Sequence, residues 1–572
     1  MKRRNFLGSI TLGGALVNNI SEGPDANSGP FLRENRSRET LTADLVIAGG
    51  GLGGCAAALA ALRNGVSVIL TEETDWIGGQ VSQQGVPPDE HQWIETHGCT
   101  KVYREFRNNV REYYKKHYPL TEEARSRKNL NPGDGAVSRL CHEPRVAVAV
   151  LTEMLAPYLS TGKLTLLLEH KAISAKVVGS RVQSLVVLNK KTKNRYTLSA
   201  PYFVDATELG DLLPMTGTEF VTGTESKAET NELHAPEKGN ADNVQSFTVC
   251  FAMDYQPGDN HVIEKPAEYE FWKNYVPKMA KPWSGKLLGL SYSNPKTLEP
   301  KELGFHPEGI ATGDKLNLWN YRRMISKANF VPGTYKGDIT IVNWPQNDYF
   351  LGNLIGASEK DFEKHVARAK QLSLSLLYWL QTEAPRPDGG KGWPGIRFRK
   401  DIMGTEDGLA KYPYVRESRR IKAVFTIKEE HVGAANREMA VANGAPCPKD
   451  KSAEFHDSVG VGYYHIDLHP SSAGDNYIDF ASLPFQIPLG ALIPIRMENL
   501  LPANKNIGTT HITNGCYRLH PVEWSIGEAV GLLVKFAFGK GVAPRRVREK
   551  SEMLKGFQEF LKGEGVELEW KR

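Results

Sequence analysis

Residues 43–72 read ADLVIAGGGLGGCAAALAALRNGVSVILTE, and their order fixes the kind of fold. An apolar strand over 45–48 runs into a glycine turn, then a helix of small residues, a second apolar strand over 66–70 and an acid, Glu72. This is the order of a βαβ nucleotide-binding unit. Gly49, Gly51 and Gly54 occupy the G-x-G-x-x-G positions, with Gly53 between the last two. Gly49 permits the tight turn and Gly51 lets the backbone approach a pyrophosphate. Gly54, with Ala58, lets the helix lie close on the sheet. The phosphates are expected at the positive end of the helix. Glu72 stands where a carboxylate accepts from both ribose hydroxyls, and it repels a 2′-phosphate, which argues against NADP. The unit alone does not separate FAD from NAD.

The segments that follow point to a flavin. Asp75-Trp76-Ile77-Gly78-Gly79-Gln80 resembles the glycine pair of flavoproteins of the glutathione-reductase and fumarate-reductase type. Residues 202–211, YFVDATELGD, resemble their second flavin motif, with Asp205, Ala206 and Thr207 in place and Glu208 where a glycine is more usual. Residues 499–507, NLLPANKNI, look like the strand that returns to the flavin, ending near Asn506. Ser525 and Glu528 have capping-box spacing and predict a helix over 526–538, with Gly527 and Gly531 allowing close approach. In the resembled flavoproteins this helix points its N-terminus at the pyrimidine end of the flavin.

With His142-Glu143-Pro144-Arg145, Asn343-Trp344-Pro345, residues 414–420 (YVRESRR) and residues 517–521 (YRLHP), the chain resembles the large bacterial family called FAD-dependent oxidoreductases. The resemblance implies FAD as cofactor. It also implies an α/β fold, in which a Rossmann-like FAD-binding domain, three-layered with a mostly parallel sheet, is interrupted by a mixed α+β substrate domain. The expected divisions are a signal-like segment over 1–20, a flexible linker over 21–42, the first part of the FAD domain over 43–226, the substrate domain over 227–482, the return segment over 483–545 and a helical tail over 546–572. Gly49, Gly51, Gly53, Gly54, Glu72, Gly78, Gly79, Gln80, Asp205, Ala206, Thr207, Asn506, Gly527 and Glu528 are the expected cofactor-binding residues.

A length of 572 residues favours two to four folded units. The formal charge of +5 is small for that length and gives no reason to expect a nucleic-acid partner. Six cysteines stand singly, without metal-finger or C-x-x-C spacing. The N-terminus, MKRRNFLGSITLGGALVNN, joins a basic region to an apolar run too short to span a bilayer. It resembles a twin-arginine export signal, a route for proteins already folded around a cofactor. Export is therefore expected, without a stable membrane span.

Six of the ten tryptophans fall in the expected substrate domain: Trp272, Trp283, Trp319, Trp344, Trp379 and Trp393. Most are read as core. Trp379 ends a helix pattern over 362–380, and Trp344 is the better candidate for a pocket wall. No second strand-glycine-helix-acid unit is present here, which favours electron transfer to a separate acceptor over a docked nicotinamide domain.

Arg416, Glu417, Arg419 and Arg420 offer either carboxylate or phosphate binding or an internal ion-pair network. His465, Asp467 and His469 alternate onto one strand face and offer either a metal site or a hydrogen-bonded face; no metal is assigned. His97 and Cys99 are further candidates to approach the flavin. For catalysis His520 is the expected base, in an extended loop before Pro521, with Arg518 polarising an oxyanion and Arg416 holding substrate. The expected reaction is hydride removal from a hydroxylated small molecule, a sugar among the candidates, to FAD. Reduction of an unsaturated acid, and a flavin-containing protein without catalysis, are the alternatives.

Overall fold

Five short strands form one parallel sheet: β1 (Leu45–Ala48), β2 (Val68–Glu72), β3 (Leu164–Leu168), β4 (Tyr202–Asp205) and β5 (Leu500–Pro502), in the order β5-β4-β1-β2-β3. These belong to a computed structural model that describes residues 39–442 and 450–571. β1, β2, β4 and β5 are buried throughout, which is why they read as unbroken apolar runs rather than alternating ones. Their alternate residues serve two cores. Leu45, Ile47, Val68, Leu70 and Val204 face a helical layer. Val46, Ala48, Ile69 and Phe203 face a β-layer built on His170–Val178, Arg181–Asn189 and Arg195–Ser199.

The helical layer centres on α1 (Leu52–Arg63) and a late helix, α3 (His520–Lys540). Glycine brings the two together. A Cβ on Gly527 would stand 2.1 Å from the Gly53 carbonyl oxygen, and one on Gly531 would stand 2.4 Å from that of Ala57. The Ala-rich composition of α1 follows from this approach, since eleven of its twelve residues are buried.

Helix α3 begins six residues earlier than the 526–538 expectation. Leu519 is its extended N-cap and Pro521 sits in the first turn, where its fixed φ and missing N–H cost nothing. Ser525 and Glu528 therefore lie inside the helix, and Glu528 accepts from the Trp524 indole at 2.9 Å instead of capping.

The first unit and the return segment are separated by a second, antiparallel sheet of Phe251–Tyr255, Ile339–Val342, Arg323–Ile325 and Ile396–Phe398, and by the helix α2 (Glu359–Thr382). The export signal expected over 1–20 lies outside the described residues. The linker expected over 21–42 is corrected at its end, because Glu39–Thr42 pairs in parallel with Arg195–Ser199. No described helix is long and apolar enough to cross a membrane.

Candidate active site and cofactor cradle

The glycine turn is tied to its surroundings by backbone. Gly49 sits at φ +100, and a Cβ there would stand 2.2 Å from the Ala206 carbonyl oxygen. Helix α1 starts at Gly51 with no side-chain cap and no acid in its first turn, which leaves N–H groups for an anion. One of them, Gly53 N–H, donates to Glu523 Oε1 at 3.0 Å. The Gly78-Gly79 turn, at φ +111 and +56, lies directly on the glycine turn, so that a Cβ on Gly79 would stand 2.9 Å from the Gly51 Cα. Gln80 donates to the Arg518 carbonyl at 3.1 Å and to Glu523.

Glu72, at the end of β2, holds the turn. It accepts from Gly50 N–H at 3.0 Å and from Thr74 N–H at 2.8 Å. Burial pushes its carboxyl up to about 7, so ribose hydroxyls donating to it would favour the ionised form.

Three expected cofactor ligands act differently. Asp205 turns its carboxylate to Thr207 N–H and Leu212 N–H, both at 3.0 Å, and shapes the loop after β4. Asn506 donates to the Asp205 carbonyl at 3.0 Å. Gly527 is a helix-contact glycine. Glu208, at the unusual motif position, pairs with Lys505, and its Oε1 is buried without a partner among the described residues.

Other buried polar atoms near the turn also lack a partner among the described residues. They are both amide atoms of Gln84 and Nε2 of His520. A cleft lined by Gly49, Gly51, Glu72, His170, Thr207 and Tyr412 opens along the strand ends. A dinucleotide on the glycine turn, with donors and acceptors left over beside it for a polar ring edge, fits these residues.

Beyond the turn lies a buried polar cluster. His520 is the first residue of α3, and its Nδ1 accepts from Asp89 N–H at 3.0 Å. Nε2 must then carry the proton, and burial lowers the imidazole to about 4. This corrects the expectation of a loop base. His520 is a neutral donor, because its proton-accepting nitrogen is already used.

Arg518 bonds the Tyr414 hydroxyl at 3.2 Å and Asp467 Oδ2 at 3.2 Å. Arg416 pairs with Asp348 at 3.0 Å and lies 5.2 Å from the Tyr414 ring centroid. Tyr414 thus joins the two arginines expected from sequence. A third, Arg322, pairs with Asp89 at 3.0 Å and was not expected, since its partner stands 233 positions away.

Arg419 and Arg420 do not reach this polar cluster. They pair with Asp211 at 3.3 Å and Glu225 at 2.7 Å, and Glu417 pairs with His511 at 2.7 Å. That part of the 416–420 stretch is the internal ion-pair network. His465, Asp467 and Asp479 bring ligand atoms within 4.8 Å of one another, but Asp467 is already compensated by Arg518, and His465 lies 3.4 Å from Asp479. His97 stacks on Trp93, and the Cys99 thiol, pushed up to about 12 by burial, rests against Arg104. Trp344 is core rather than wall, buried beside Phe305.

Residues 44–561 match the family model described as FAD dependent oxidoreductase. The chain belongs to this family. FAD is its cofactor and it is an oxidoreductase. No curated protein sequence matches it significantly.

Among solved structures, the oxidoreductase is similar to L-proline dehydrogenase from P. horikoshii, at 16% identity over 34% of this chain and TM-score 0.18, and it spans only 27% of that chain. The FrdA chain of E. coli quinol fumarate reductase is 11% identical over 92% of this chain and 74% of its own, with TM-score 0.31. A 3-ketosteroid-delta4-(5alpha)-dehydrogenase from Rhodococcus jostii RHA1 is 17% identical over 31% of this chain and 48% of its own, with TM-score 0.20. None of these likenesses places a substrate in the oxidoreductase.

Proposed function

We propose that this oxidoreductase removes hydride from a hydroxylated, uncharged small molecule, sugars and polyols being the first candidates, and passes the electrons to a separate acceptor. The observation that carries the reading is a group of buried polar atoms on uncharged side chains with no partner among the described residues: Gln245 Nε2, Ser246 Oγ, Asn343 Nδ2 and Tyr477 OH. They surround Arg416 and His469. Arg416 bonds the Ser246 carbonyl at 2.9 Å and Asn343 Oδ1 at 3.4 Å, Gln245 Oε1 accepts from His469 N–H at 3.1 Å, and the Tyr477 ring stands 5.3 Å from that of His469. A buried unpaired donor or acceptor costs about 1–3 kcal/mol. Substrate hydroxyls that satisfy these atoms recover that cost.

Charge separates this reading from reduction of an unsaturated acid. Arg322, Arg416 and Arg518 each already face a carboxylate, Asp89, Asp348 and Asp467. A substrate carboxylate would have to displace one of them or enter the cluster without a surplus cation. Bound FAD would supply the hydride acceptor, and the side chains of this cluster orient the carbinol.

The test is anaerobic. Bleaching of the bound flavin by sugars or polyols, and not by hydroxy acids, is expected. No bleaching, together with reoxidation of reduced flavin by an unsaturated acid, would reverse the assignment.

A further inference from the structure

We propose that His469, held by Asp348, is the general base that takes the hydroxyl proton of the donor; this deepens the dehydrogenase reading and rests on it. Asp348 is buried, and three groups converge on its carboxylate. Arg416 stands 3.0 Å from Oδ1, the Thr248 hydroxyl donates to the same oxygen, and His469 Nδ1 lies 2.6 Å from Oδ2. Burial alone would raise this acid, but Arg416 and His469 outweigh it and hold the carboxyl below its ordinary value. An ionised carboxylate only accepts, so the 2.6 Å contact places a proton on Nδ1 of His469, and in the neutral imidazole the lone pair is then on Nε2.

His520 has the opposite tautomer, its Nδ1 already spent on Asp89 N–H. Of His520 and His469, His469 is the one with an accepting nitrogen left over.

The surroundings of Nε2 suit that role. Asp467 Oδ2 lies 3.6 Å away, too far to bond Nε2 but close enough to stabilise an imidazolium once it forms, and its nearer partner is Arg518 at 3.2 Å. The Tyr477 ring stands 5.3 Å from that of His469 and Gln245 Oε1 accepts from the His469 backbone N–H at 3.1 Å, while His465, four positions back, is turned to Asp479. The side chain keeps 19% exposure, which gives the proton a way out.

In the step itself the carbinol C–H bond breaks, with its electron pair leaving as hydride to FAD. The O–H proton passes to Nε2 and the C=O bond forms. The alcohol is oxidised to a carbonyl, FAD is reduced, and the two electrons then go to the separate acceptor.

The FAD-loaded protein, labelled with ¹⁵N in histidine, gives the first readout. A neutral His469 with Nδ1 protonated and Nε2 bare is expected, its signals assigned by their loss in His469→Gln. A neutral His469 protonated on Nε2 overturns the proposal, whatever the substrate proves to be. The second readout is single-turnover flavin reduction with any donor that bleaches the wild type. His469→Gln with full FAD content is expected to slow it about 100-fold or more and to remove the limb in which rate rises with pH. An unchanged rate and profile overturns the base. Should His469→Gln fail to hold FAD, Asp348→Asn supplies the same arm, with at least about tenfold slower reduction expected and an unchanged rate counting against the dyad. If no hydroxylated donor reduces the wild type, the proposed function falls and the tautomer still decides the base.

Discussion

Two glycines in one turn should respond to alanine in opposite ways. Gly51 has φ −64 and ψ −174, ordinary extended values that alanine adopts freely. A Cβ there meets only the ends of two side chains, Glu208 Oε1 at 3.2 Å and Glu523 Oε1 at 3.5 Å, and the Ala206 carbonyl at 3.8 Å. Losing a glycine N-cap and gaining from a stiffer unfolded chain nearly cancel, so the apoprotein should change by no more than about 1 kcal/mol. The methyl group would nevertheless stand in front of the α1 N-terminus, where a pyrophosphate must sit. Two lost charge-assisted hydrogen bonds at about 1.5–3 kcal/mol each weaken FAD by about 3 kcal/mol or more, roughly a hundredfold at least. Gly53→Ala is a different lesion. Its Cβ would fall 1.7 Å from the Ala503 carbonyl oxygen, so backbone must move by about 1 Å or more, at a cost of about 1–3 kcal/mol or higher. Urea unfolding of the apoproteins and FAD titration by fluorescence quenching separate the two. Wild-type FAD affinity in Gly51→Ala would refute the placement of the cofactor on this turn, and wild-type apoprotein stability in Gly53→Ala would refute the close approach of Gly53 to Ala503.

His520 is held neutral with its pKa lowered from 6.5 to about 4, so its contribution is complete above pH 6.5 and is lost as pH falls toward 4, a slope worth about 3 kcal/mol. His520→Gln, which keeps an acceptor for Asp89 N–H, should flatten that part of the stability curve in urea unfolding between pH 7 and 4.5, and an identical curve argues against the neutral donor. Asp89→Ala leaves buried Arg322 uncompensated and should cost about 3–5 kcal/mol, partly recovered when Arg322→Met is added; a single-variant loss under about 1 kcal/mol would show the pair to be dispensable. The thiols of Cys99, Cys141 and Cys250 are pushed up to about 12 by burial and those of Cys55 and Cys516 higher still, so none of these five should react with a thiol reagent before unfolding. Peptide mapping that finds any of them labelled in the folded protein refutes this.

The dinucleotide unit was legible because every part of it is local. β1, the turn, α1, β2 and Glu72 fall within thirty residues, and each position has one physical demand that few residue types meet. The start of α3 was not legible for a related reason. Two local signals compete there, Pro521 in a permitted first turn and the Ser525–Glu528 spacing, and the second points to a later start although Trp524 claims Glu528. Sequence spacing shows that a cap is available. It does not show which partner wins the side chain.

The polar cluster was only half legible, and the missing half is long-range. Arg416, Arg518 and the His465–His469 stretch stood out by residue type, whereas what they can bind depends on pairings across segments, Arg416 with Asp348 and Arg518 with Asp467, beside Arg322 with Asp89. Pairing is what turns three arginines from an anion trap into a neutral frame, because a guanidinium already bonded to a carboxylate offers little to a second one. The same logic decides the base. An imidazole is available for proton transfer only if its other nitrogen is a donor, and that is set by whether its neighbour is an N–H, as at His520, or a carboxylate, as at His469. Neither neighbour is adjacent in sequence, standing 431 and 121 positions away. The residue whose local context looked most like a catalytic loop is therefore a fixed donor. The accepting lone pair belongs to a histidine whose alternation with Asp467 suggested a structural face or a metal.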